Sequence, residues 1–159
     1  MKKTMLVTAV TGIFAAAVSF ASDHSHMHET MMKEGGHKSD TRIELKMAES
    51  MKAMHKSIMR GHLDALGKIT AALAANELEK AAKIAKGNLG WNESEEKMCS
   101  IFGESAGEAG KDFLTVGKAM HTKADELSAD AMAGNRDKAL ADLSPLIESC
   151  NICHEKFRH

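Results

Sequence analysis

Apolar residues recur at three- and four-residue steps through most of this chain and nowhere alternate strictly with polar ones, so the pattern predicts helices and no sheet. Leu45, Met47, Met51, Met54 and Ile58, followed by Met59, Leu63, Leu66, Ile69 and Leu73, mark the face of a long first helix. Thr41 has capping-box spacing to Glu44, with Asp40 as an alternative cap, so this helix is expected to start there and to end near Ala75. Asn76 then reads as the cap of a second helix, built on Leu78, Ala81, Ala82, Ile84 and Ala85, that stops at Gly87-Asn88. Residues 87–110 hold five glycines, and Trp91, Met98, Ile101 and Phe102 among them suit a packed turn or short helix. A third helix carries Phe113, Val116, Met120, Ala124, Leu127 and Ala131 and ends at Gly134. The fourth, from about Asn135, aligns Leu140, Leu143, Leu146, Cys150, Cys153 and Phe157. Pro145, the one proline, either kinks this helix or restarts it with Ser144 as the cap. Four amphipathic helices predict an all-α, antiparallel four-helix bundle.

The N-terminus breaks the pattern twice. Met1-Lys2-Lys3, the apolar run Leu6 to Val18 and the small residues of Ser19-Phe20-Ala21 read as a signal peptide over residues 1–21, which implies export and a periplasmic location. That run is too short for a comfortable span, so no stable membrane span is expected in the mature chain. Residues 22–40 hold four of the nine histidines, with Met27, Met31 and Met32, and almost no branched aliphatics. Such a segment buries too little apolar surface to offset its ordering entropy, so a disordered His/Met-rich tail is expected before a single domain at 41–159. Removing Lys2 and Lys3 and no acids takes the net charge from −1 to −3. A weakly acidic chain with 4% aromatic residues gives no case for nucleic acid.

Candidate chemistry lies at the other terminus. Cys150-Asn151-Ile152-Cys153-His154 has the C-x-x-C-H spacing of covalent haem attachment, with two thiols for the porphyrin vinyl groups and an imidazole for the iron. A redox C-x-x-C prefers a helix N-terminus and a zinc tetrad needs further ligands, whereas this pair closes the last helix and has no second C-x-x-C. Only five residues follow His154, so a second axial ligand must come from upstream. Met47, Met51, Met54, Met59, His55 and His62 are available on the first helix. Outside this motif no acid, base or nucleophile constellation appears, so a non-enzymatic role is expected.

The ending Cys150-x-x-Cys153-His154-x-x-Phe157-Arg158, together with the helical pattern over 41–159, resembles the class II cytochromes c, the cytochrome c′ and c-556 group. The connection between the first two helices is shorter than is typical of that group. The resemblance implies one covalent haem c per chain, with thioethers at Cys150 and Cys153 and His154 as the proximal iron ligand. It also implies a distal position on the first helix: a methionine there makes a six-coordinate one-electron carrier, and an apolar residue leaves an open iron that binds nitric oxide or carbon monoxide. Met59, in the run Met59-Arg60-Gly61-His62-Leu63, is the preferred distal ligand, with Met51 and Met54 as alternatives. Arg158, expected one helical turn beyond His154, is a candidate propionate contact. The partners implied are redox proteins, and a homodimer is a candidate assembly.

Two features stand outside the resemblance. Cleavage after Ala21 would leave Ser22-Asp23-His24, whose amine, peptide nitrogens and imidazole suit square-planar copper. His26 and His28 extend that candidate copper site, and a copper-handling protein is the alternative reading. Cys99 is the odd cysteine, expected to be buried by Met98, Ile101 and Phe102, while His121 reads as a rim residue beside core Met120.

Overall fold

The computed structural model describes residues 39–159, of which Thr41–His159 form one unit. The expected signal peptide, most of the tail, and His24, His26 and His28 lie outside the described residues. In chain order the elements are β1 (Ile43–Glu44), α1 (Glu49–Ala74), α2 (Leu78–Leu89), α3 (Glu93–Ser105), a 3-10 turn (Gly107–Ala109), α4 (Gly110–Met132), α5 (Arg136–Lys156) and β2 (Phe157–Arg158). Helices α1, α2, α4 and α5 make the four-helix bundle, and α3 packs on α4 at one end.

The first helix begins later than Thr41 predicted. Leu45 and Met47 are buried, but ahead of the helix: β1 pairs in parallel with β2, and the Leu45 amide donates to the Arg158 carbonyl at 2.8 Å. Pairing with the C-terminus replaces the expected capping box, and Ala48 starts α1 with no side-chain cap. Asn76 ends α1 but does not cap α2. With φ of 59° it is the left-handed residue of a Schellman turn, in which Asn76 and Glu77 donate to the Leu73 and Ala72 carbonyls. Gly134, at φ 76°, repeats that turn between α4 and α5. Helix α2 runs on past Gly87-Asn88 because Leu89, 1% exposed, still belongs to the core.

The region expected as a turn or short helix is a thirteen-residue helix. The Asn92 side chain accepts from the Glu95 amide at 3.0 Å, and Glu93, Glu95 and Glu96 place negative charge in the first turn. Its return into α4 is tight enough that a Cβ on Gly110 would collide with the Gly103 carbonyl. Asn135 caps α5 by accepting from the Lys138 amide, and the helix then continues through Pro145 without restarting. It ends at Phe157, 5% exposed, which turns extended to enter the core. Arg158 therefore does not follow His154 on a helix face, as expected from the sequence. It lies in β2 and pairs with Glu44 at 3.1 Å.

Two core clusters result. One, around Ile69, Leu73, Leu127 and Leu146, closes most of the bundle. The other, Leu45, Met47, Phe102, Ala106, Phe113 and Phe157, lies at the end carrying both termini of the described unit. Helix α4 packs extensively on α2 and α5, and α1 on α2, whereas α1 and α5 touch at few points. A cavity lies at that loose seam.

Candidate haem pocket

The cavity has a volume of about 350 Å3 and is walled by α1, α3, α4 and α5, almost entirely with apolar surface. From α5 it receives Cys150, Cys153 and His154 together. A helix end does this naturally, because residues three and four apart share a face. Both thiols are half-buried, and His154 is exposed at the mouth. Burial pushes the Cys153 thiol up to about 11, with Cys150 adding to the effect, and burial raises Cys150 as well. Neither is therefore the easily ionised nucleophile of a redox pair, and neither sits at a helix N-terminus. Among the described residues no cluster of three or more His, Cys, Asp or Glu side chains is arranged to hold a metal ion.

A second chamber, about 300 Å3, adjoins the first. Arg42, Lys56, Arg60 and Arg158 line it, and no Asp or Glu does. Six residues belong to both chambers: His55, Met59, Arg60, Phe113, Cys153 and His154. The junction thus sets the C-terminal end of α5 against two side chains of α1 that could ligate iron.

Of the methionines proposed from sequence, Met59 is half-buried and lines both chambers. Met51 packs against the second core cluster, and Met54 is 37% exposed; neither lines a chamber. Met47 is buried in the segment between β1 and α1.

The histidines carry more of the site than the sequence suggested. His55 is 8% exposed and its ring meets the rings of Phe102 and Phe113 edge-on, with centroids 4.9 and 5.5 Å away. Its Nδ1 lies 2.7 Å from Nε2 of His159. Burial pushes both His55 and His62 down to about 4, helped by neighbouring imidazoles, so each is neutral near pH 7. His121, expected at the rim, is 3% exposed: its Nδ1 lies 2.7 Å from the Leu89 carbonyl and its Nε2 3.8 Å from the Cys99 sulfur. Cys99 is half-buried, and burial together with Glu95 pushes its thiol up to about 11. Sequence spacing places His55, Met59 and His62 on one face of α1, which was a usable signal. The contacts that bury His55 and His121 come from residues 22 or more positions away, and no local pattern announces them.

A bundle with one splayed seam, an apolar chamber at that seam and a C-x-x-C-H helix end feeding it defines a haem-protein architecture. The family model described as Cytochrome C' matches residues 42–158, and the chain belongs to that family. Comparison with curated proteins and with solved structures returned no match. Membership implies covalently bound haem c and a role as an electron carrier or gas-binding protein, with redox proteins as partners. Among the described residues no helix is long and apolar enough to cross a membrane.

Proposed function

We propose that this protein is a periplasmic one-electron carrier whose haem c is attached through Cys150 and Cys153, with His154 as proximal ligand and a second axial ligand from α1. The observation that carries the reading is the shared chamber: both thiols, the proximal imidazole and a ligating face of α1 line it together. Haem supplies a reversible one-electron couple, whose potential depends on axial ligands, burial and hydrogen bonding. The chain's own part is to hold that group dry on its large faces and leave an edge at the mouth. The cationic second chamber suits the propionates, with Arg158 and Arg60 as contacts. Export through residues 1–21 supplies the oxidising compartment in which the thiols are handled.

The sequence-level choice for the sixth position is Met59, and its place at the junction of the chambers keeps it in play. The gas-binding alternative requires that no α1 side chain reach the iron. Visible spectra of the purified holoprotein in both oxidation states, with and without carbon monoxide, separate the two. A low-spin spectrum in both states, unchanged by carbon monoxide, is expected. A high-spin spectrum that shifts with carbon monoxide would reject the carrier. Haem that leaves the denatured protein on solvent extraction would reject the attachment.

A further inference from the structure

The strongest unexplained feature of the pocket is an imidazole where an aliphatic side chain would pack at lower cost. His55 sits against Phe102 and Phe113 with 8% of its surface exposed, and a buried polar ring is unfavourable unless its nitrogens are used. One nitrogen is used: Nδ1 is 2.7 Å from His159 Nε2. The other, Nε2, has no hydrogen-bond partner among the described residues, yet it is not sealed away from open space.

Geometry selects His55 over the other imidazoles. His62 and His121 line only the larger chamber, whereas His55 lines both and faces the junction together with Cys153 and His154. The hydrogen bond fits as well. When Nδ1–H of His55 donates to His159, Nε2 carries the lone pair, which is the tautomer a metal ligand needs and the outer-shell support such ligands usually have. Met59 has no comparable anchor. A flexible thioether fills irregular gaps without further cause.

Resting on the haem reading above, we infer that His55 supplies the second axial ligand, so that the iron is held by two imidazoles, and that His159 is the residue positioning it. The chain thereby uses His159 to fix the ring that α1 presents. An imidazole pair also sets a lower potential than a histidine–methionine pair.

The test begins with wild-type ferric holoprotein, by electron paramagnetic resonance and near-infrared magnetic circular dichroism. Signals of two imidazoles with no thioether–iron band are expected. A thioether band that disappears in Met59→Leu would overturn the inference and leave the carrier intact, whereas a high-spin iron would overturn both. Met59→Leu should otherwise still show the signals of two imidazoles. His55→Leu should become high-spin and bind carbon monoxide, with added imidazole restoring the low-spin form; an unchanged spectrum rejects His55. If His55→Leu fails to take up haem, His55→Met decides the ligand, because it should acquire the thioether band. For His159, loss of the hydrogen bond in His159→Phe should raise the potential, and His159→Gln should bring it back toward wild type. A potential that ignores both changes rejects the positioning role.

Discussion

Around Leu73 and Leu127 the bundle is closed by small side chains, with alanine at eight of the fourteen buried positions, which lets the helix backbones approach closely. At the end bearing His154, Phe102 and Phe113 wall a cavity, and α1 stands off from α5. Buried polarity divides the same way. The alanine-rich half buries Ser128, whose hydroxyl donates to the Ala82 carbonyl at 2.9 Å, whereas the cavity half buries His55 and lines its wall with His121. One half is finished without a cofactor. The other has the walls of a site and lacks the filling, so stability and function are drawn from different ends of the same four helices.

The largest effect that could break this comparison is in the core. Leu127 has no exposed surface, and Leu127→Ala should cost about 2–5 kcal/mol by leaving a cavity that close-packed neighbours cannot fill. Phe102→Ala removes a larger side chain but one that already borders a void, so in the apoprotein it should cost less than Leu127→Ala. Denaturant midpoints of the two apoprotein variants rank them, and the reverse order would mean that the cavity half carries the stability.

A smaller effect tests how the cavity wall is held. Helix α3 reaches its place through the turn where Gly110 meets the Gly103 carbonyl, and Gly103 itself packs with its Cα facing Leu114. Gly110→Ala forces that contact apart and should destabilise by about 1–3 kcal/mol. Because α3 supplies Met98, Cys99 and Phe102 to the pocket, the variant should also lower haem occupancy at equal expression. A stability loss with full occupancy would show that the wall tolerates the shift.

The same division governs what could be read from the chain. The helices of the alanine-rich half follow from apolar periodicity because their partners are local neighbours in a regular bundle, and Leu73, Leu127 and Leu146 fall on the predicted faces. The attachment motif and its place at the end of α5 were equally legible, since both depend on spacing alone. The errors gather at the cavity end. Thr41 and Glu44 had the spacing of a cap, yet β1 pairs with β2 across more than 110 residues of chain. Arg158 was expected on a helix that Phe157 leaves in order to bury its ring. His55 was in view as one of several first-helix donors, but its partner is His159, and its burial depends on Phe102 and Phe113 from two other helices. Periodicity reports which face a residue occupies, not which distant group meets it there.

The smallest effect concerns acid. His62 is largely buried in the cavity wall, and burial with the nearby His121 imidazole holds it at about 4, against 6.5 for an unperturbed histidine. The unfolded chain therefore binds a proton at higher pH than the folded one, so the contribution is intact above about pH 6.5 and is lost as pH falls toward 4. With allowance for its partial exposure, one such group removes about 1 kcal/mol at about pH 5.5. His55 adds to the slope in the apoprotein. Urea unfolding of the apoprotein at neutral and mildly acidic pH should show the loss, and His62→Leu should flatten it by about one histidine's share. Leu127 belongs to the alanine-rich cluster and does not line the cavity, so Leu127→Ala should lower both curves without changing their separation. A pH dependence that survives His62→Leu unchanged would place the sensitive group elsewhere and end the assignment of acid sensitivity to this wall of the cavity.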